Sequence, residues 1–166
     1  NNWSADFSYT WSASLGNHEG YVKSDNGQDD AGITQNFDQP GLVDNSYGEL
    51  PNSRAHTLKG YGSYEFDNGL RLGASLLWQS GRPISCFGVH PTDAFAGDYG
   101  ASSHFCQGSP VGRGSLGHTP VLHNIDLSAQ YNLEIANTDV LLTLDIFNAL
   151  NTDKAIRVSE EGDTAA

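Results

Sequence analysis

Two cysteines, Cys86 and Cys106, stand in one polar, glycine-rich stretch of this 166-residue chain. A pair closing a short exposed loop is most simply a disulfide, which implies an oxidising compartment; a metal pair or free thiols are the other uses. Closing such a loop stabilises a fold by about 3 kcal/mol in the chain-entropy picture. In the same stretch His90, Asp93, Asp98 and His104 have the donor types of a transition-metal site, and unliganded loop residues are the plainer reading. Upstream, Asp25, Asp29, Asp30 and Asp38, with Asn26 among them, offer oxygen ligands to calcium. Their spacing is not that of an EF-hand, and a solvated acidic loop is the simpler use of the run. Gly112-Arg113-Gly114-Ser115-Leu116-Gly117 matches the dinucleotide fingerprint letter for letter. That motif works only between a strand and a helix, and here it runs into another extended segment, so no nucleotide site is expected. No nucleophilic serine motif, H-E-x-x-H helix or catalytic carboxylate pair accompanies these groups, so no catalytic residue and no enzyme activity are expected.

The elements that hold these stretches are strands. Five segments alternate apolar and polar residues, and none of the chain has a helical period. The first, Trp3 to Leu15, puts Trp3, Ala5, Phe7, Tyr9 and Trp11 on one face and Ser4, Asp6, Ser8 and Thr10 on the other. The second, about His56 to Phe66, is followed at once by Asp67-Asn68-Gly69, a tight-turn signal. The third, about Leu70 to Gln79, aligns Leu72, Leu76 and Trp78. The fourth, about Val121 to Leu133, aligns Ile125 and Leu127. The fifth, about Asp139 to Leu150, aligns Leu142, Leu144 and Ile146 after a short turn near Ala136-Asn137. Soluble strands usually run about 5–6 residues, whereas a tilted strand crossing a bilayer needs roughly 9–11. The connections alternate long, tight, long, tight, the rhythm of barrels with long external loops and short periplasmic turns. Asp6, Glu65, Asp126 and Asp145 then read as polar lining of a lumen.

Composition narrows the classes further. Hydrophobic residues make up 37% of the chain with no long apolar run, which excludes a helical membrane span but not a barrel with a polar lumen. A net charge of −12 argues against nucleic acid, since phosphate binding needs clustered Lys and Arg. The opening Asn1-Asn2-Trp3 carries no signal peptide, so the sequence reads as an internal piece of a longer protein, and its polar final residues, Ser159 to Ala166, read as frayed or truncated.

Several motifs together resemble a known family. Ser53-Arg54-Ala55-His56 leading into Leu58-Lys59-Gly60-Tyr61-Gly62-Ser63-Tyr64, Ser80-Gly81-Arg82-Pro83-Ile84 at a strand exit, and Asp145-Ile146-Phe147-Asn148-Ala149-Leu150-Asn151 resemble late strands of TonB-dependent outer-membrane receptors. Ser24 to Thr34 and Cys86-Phe87-Gly88-Val89 resemble the Oar-like branch, in which a carboxypeptidase-regulatory-like domain precedes plug and barrel. The resemblance implies uptake or export of a large substrate across the outer membrane of a Gram-negative bacterium, energised through TonB. The signal sequence, TonB box, plug and most of the roughly 22 strands of such a receptor have no counterpart here.

The expectation is therefore an all-β chain: about five long strands of an antiparallel, up-and-down transmembrane β-barrel, residues 1–166 being a C-terminal portion of it. External loops are expected at about 20–53 and 80–119, and the partners are the remaining barrel and plug, TonB and the lipid bilayer. The lipid-facing row would be Trp3, Phe7, Tyr9, Trp11, Leu72, Leu76, Trp78, Ile125, Leu127, Leu142, Leu144 and Ile146. Substrate contacts are expected on Asp25 to Asp38 and on Phe87, His90, Asp93, Asp98, His104 and Phe105, without a cofactor unless calcium binds. The competing classes are a non-transporting, adhesin-like surface module and a soluble β-sandwich that binds carbohydrate.

Overall fold

The computed structural model describes residues 2–27, 30–32 and 34–162, the side chain of Asn26 excepted. In chain order its strands are β1 (Trp3–Trp11), β2 (Leu15–Gly16), β3 (Gly48–Glu49), β4 (His56–Glu65), β5 (Leu70–Gln79), β6 (Phe105–Cys106), β7 (Ser109–Pro110), β8 (Leu122–Ile135) and β9 (Thr138–Ile146). One helical turn, α1 (Ala94–Gly97), and two short 3-10 segments, Ser24–Asn26 and Pro40–Val43, complete the described elements. They gather into two compact units. The first comprises residues 1–11, 55–80 and 121–154; the second comprises 12–54, 81–120 and 155–166.

The first unit is one five-stranded antiparallel sheet in the order β1-β4-β5-β8-β9. Its register turns the alternation of each segment into continuous rows. Trp3 pairs Tyr64, which pairs Leu72, then Ala129, then Leu144. The row of Phe7, Gly60, Leu76 and Ile125 lies on the same face, as does that of Ala5, Gly62, Ala74, Leu127 and Ile146. Between them run polar rows such as Ser4, Ser63, Gly73, Ser128 and Asp145. A one-residue slip in any strand would transfer its whole apolar set to the other face, so the register is strongly specified. Gly60 serves this packing directly, because a Cβ there would lie 2.9 Å from the ring of Phe7.

Neither face is packed against a core within the described residues. The buried hydrophobic side chains, Leu42, Leu50, Cys86, Phe87, Ala96 and Phe105, all belong to the second unit. On the sheet Phe7 is 73% exposed, Trp11 68% and Leu144 62%. The polar face is hollowed: a cavity of about 450 Å3 opens on it, lined by Asp6, Tyr61, Arg71, Ser75, Asp126 and Asp145 among others.

The turns follow from their residues. Between β4 and β5 the Gly69 amide donates to the Phe66 carbonyl at 3.0 Å, and Gly69 takes a left-handed φ of 82° that its lack of Cβ allows. Between β8 and β9, Ala136 and Asn137 both have positive φ, 49° and 60°, the hairpin geometry that matches strand twist. The two long connections, β1 to β4 and β5 to β8, join strand ends at one end of the sheet, and the two tight turns lie at the other.

Three boundaries differ from the alternation. The first segment stays in the sheet only to Trp11, since Ser14 and Leu15 pair with the 49–50 region of the second unit. The fourth extends two residues further than expected, to Ile135, because the Ala136-Asn137 turn is tight. The fifth ends at Ile146 because Asn148, at φ 50°, donates its amide to the Asp126 carboxylate at 2.8 Å and its side chain bonds the backbone of Thr152. Asp126 also accepts from Asn124 Nδ2 at 2.8 Å and Ser75 Oγ at 3.4 Å. Replacing Asp126 by Ala removes the acceptor shared by these donors and should loosen the turn after β9, read as a lower denaturant midpoint in detergent; an unchanged midpoint contradicts the role.

Candidate functional site

The two acid- and cysteine-bearing stretches are not independent loops. Glycine and turn residues keep them from forming long elements, and they fold instead around a small core of Leu42, Leu50, Phe87, Ala96 and Phe105. Cys86 and Cys106 are joined by a disulfide, with their Cα atoms 5.6 Å apart. The two-residue ladders β2–β3 and β6–β7 are the only paired strands in this unit among the described residues.

Several charged side chains of this unit are inside. Arg113 Nη1 donates to Asp25 Oδ2 at 2.8 Å and its Nε to the Ser46 carbonyl at 2.7 Å, and both charged side chains are essentially inaccessible. Arg82 forms a second buried ion pair with Glu160, whose other oxygen accepts from the Ser85 amide at 3.0 Å. Lys23 is buried as well, with its ammonium 4.9 Å above the Phe87 ring and 3.4 Å from the Ser102 carbonyl. Burial pushes its pKa down, Asp25 opposes the shift, and Arg113 adds to it. These cations were invisible as a group in the sequence. The available signal was that basic residues are scarce in so acidic a chain, yet several sit inside its glycine-rich stretches.

The run around Arg113 explains itself in the same terms. Gly114 has φ 67°, and a Cβ there would lie 2.7 Å from the Glu49 carbonyl oxygen, while its amide donates to Ser85 Oγ at 2.9 Å. The glycines permit close backbone approach and no helix follows them, so the fingerprint is a packing feature.

The candidate metal ligands are dispersed. Asp25 is held by Arg113, whereas Asp30 and Asp38 are exposed; Asp29 and the side chain of Asn26 lie outside the described residues. His90 Nδ1 accepts from the Asp93 amide at 2.9 Å, which leaves Nε2 to face Asp44 Oδ2 at 3.2 Å. Asp93 itself caps α1 by accepting from the Phe95 and Ala96 amides. Asp98 is exposed, and Phe105 packs edge-on to His90 with ring centroids 4.6 Å apart. His104 is buried against Phe87, and burial, reinforced by the charges of Arg113 and Lys23, pushes its pKa down to about 3. Among the described residues no three His, Cys, Asp or Glu side chains converge on a point where a metal could sit.

The two candidate substrate stretches nevertheless meet. Tyr99 donates its hydroxyl to Asp38 Oδ2 at 3.3 Å, Gln35 donates to Ser102 Oγ at 2.6 Å, and α1 packs on the 3-10 turn Pro40–Val43. Phe37, Asp38, Phe95 and Asp98 remain exposed around that junction.

Comparison with known proteins gives one informative relative. The chain is 34% identical over 154 residues, 90% of its length, to the TonB-dependent transporter Oar of Myxococcus xanthus. The matched region makes up 14% of that transporter, so the chain spans about one-seventh of the relative's length. No protein-family model matches the chain, and no solved structure matches it.

Two expected outcomes follow from the buried charges. Asp25→Leu leaves Arg113 buried without its ion-pair partner and should cost about 3–5 kcal/mol, most of it recovered in Asp25→Leu/Arg113→Met; the near-UV tyrosine signal under urea reads both. For His104 the folded pKa, about 3, lies below its ordinary 6.5, so the folded state binds fewer protons between those values. Its stability contribution is complete above pH 6.5 and is lost as pH falls toward 3. His104→Phe should flatten the melting temperature across that window, and an unaltered acid slope would exclude His104 as its source.

Proposed function

We propose that this chain, which is similar over nine-tenths of its length to a TonB-dependent transporter, forms part of the wall and mouth of a transmembrane β-barrel in a bacterial outer membrane. The barrel would move a large substrate across that membrane, with energy reaching it from TonB through parts of the protein outside residues 1–166. The single observation that carries this reading is the sheet itself, apolar and uncovered on one face, polar and hollowed on the other.

Physical dimensions support it. β1 has nine residues, so at about 3.3 Å each it is roughly 30 Å long, and tilted by about 40° it covers roughly 23 Å, close to the apolar band of an outer-membrane barrel. The row Trp3, Phe7, Tyr9, Trp11, Leu72, Leu76, Trp78, Ile125, Leu127, Leu142, Leu144 and Ile146 then meets lipid. Trp11 and Trp78 stand near one rim of the band and Trp3 and Tyr64 near the other, where amphipathic rings are favoured. Asp6, Asp126 and Asp145 face a plug or channel water.

The outer edges of β1 and β9 have no partner strand among the described residues. In hydrocarbon each unsatisfied backbone group costs several kcal/mol, so further strands of the same barrel close it. The end of the sheet that gives rise to the two long connections is the external one in this reading, and the junction of Asp38 with Tyr99 is a candidate contact for substrate. No enzymatic step and no cofactor belong to it.

Paired arginine substitutions test the reading in the full-length protein. Phe7→Arg should lower stability in phospholipid vesicles by about 2–4 kcal/mol, whereas Ser8→Arg, one residue on and facing the other way, should cost under about 1 kcal/mol. Equal costs would contradict a lipid-facing row.

A further inference from the structure

The segment after β9 returns to the disulfide-bonded stretch and is seated on it by several independent contacts. The Phe87 amide donates to the Glu160 carbonyl at 2.7 Å, and the Gly162 amide donates to the Phe87 carbonyl at 2.8 Å, a short parallel pairing. The Glu160 side chain, 1% exposed, is the pin: one oxygen pairs with Arg82 and the other accepts from the Ser85 amide at 3.0 Å. Arg157 Nη2 donates to the Ser24 carbonyl at 2.7 Å, tying the same segment to the first long connection. Gly162 rests directly on the disulfide. A Cβ there would collide with Cys86 Sγ and lie 2.9 Å from Cys106 Sγ. A polar tail that looked frayed is thus fastened up to Gly162, while residues 163–166 lie outside the described residues.

We propose that residues 157–162 form a redox-dependent clasp, docked on the Cys86–Cys106 loop while the disulfide is intact and released when it is reduced. The seat is the closed bond itself. Two thiols cannot occupy the space of two bonded sulfurs, because non-bonded sulfurs stand well over an ångström further apart. Gly162 lies over them with no side chain to yield, and its neighbour Phe87 carries both backbone bonds of the clasp. Reduction by a small dithiol is balanced: the dithiol closes to its own disulfide, and two electrons and two protons pass to the cysteine sulfurs. This inference concerns the second unit alone and does not depend on the transport reading.

Trypsin cleavage after Arg157, scored against cleavage after Arg54 in the same molecule, tests it in the full-length protein. In the oxidised protein the Arg157 bond should be cut slowly. Reduction with dithiothreitol, or Cys86→Ser/Cys106→Ser, should raise the Arg157-to-Arg54 ratio at least tenfold. Glu160→Gln and Gly162→Ala should raise it similarly with the disulfide still formed by thiol titration. A ratio unmoved by reduction, or a rise at both sites together, would overturn the clasp, since the first means no coupling and the second general unfolding. A Glu160→Gln protein as resistant as the parent would overturn the assignment of the pin.

Discussion

An apolar sheet face that finds no cover among the described residues has to be covered by something else, and most of this molecule's organisation follows from that constraint. The face carries tryptophan, phenylalanine, leucine and isoleucine, with glycine and alanine between them, in rows across the five strands. Water is a poor medium for such a surface, since burial of apolar area is the main favourable term in folding and association. Soluble monomers rarely leave contiguous apolar patches of this kind open. In the proposed reading a bilayer would satisfy the face and then impose a second demand on the backbone. In hydrocarbon every N–H and C=O needs a partner, which antiparallel pairing supplies between neighbours but not at the two open edges. In the proposed reading a longer barrel would meet both demands at once, in keeping with the transporter to which the chain is similar.

The second unit solves a different problem with the same scarcity of apolar residues. Its hydrophobic core is small, and it adds a disulfide and internal charge pairs. Buried ion pairs contribute little net stability compared with hydrophobic substitutes, yet they punish mispairing severely because either partner alone is left uncompensated. They therefore suit stretches rich in glycine and polar residues, where packing alone discriminates weakly between arrangements. Lys23, Arg82 and Arg113 are drawn inward together with Asp25 and Glu160, so the exposed charge of this unit changes by one cation only.

Legibility in the sequence divided along the same line. Alternation at period two was sufficient to identify all five long strands, both tight turns and the membership of each face, because a strand with one polar and one apolar side writes its orientation into every second residue. The limits of β1 and β9 were less legible. Phe147 to Leu150 continue an apolar trend, but Asn148 and the Asp126 carboxylate turn the chain, a bond between residues 22 apart in sequence. The interior of the second unit had no periodic trace at all. Asp25 and Arg113 are 88 positions apart and Arg82 and Glu160 are 78 apart, so their pairing could not be read from spacing. The calcium and transition-metal expectations drew on residue types that the fold employs elsewhere: Asp25 in an ion pair, Asp93 in a helix cap, His104 as a neutral ring against Phe87.

Intrinsic tryptophan fluorescence addresses the central point most directly, because Trp3, Trp11 and Trp78 are all the tryptophans in the chain and all lie on the apolar face. With the full-length protein reconstituted in vesicles and its tryptophans outside residues 1–166 replaced by phenylalanine, lipids brominated along their acyl chains should quench this emission strongly while aqueous acrylamide leaves most of it intact. Emission indifferent to brominated lipid and quenched by acrylamide would mean that these side chains do not meet hydrocarbon, and would contradict the account.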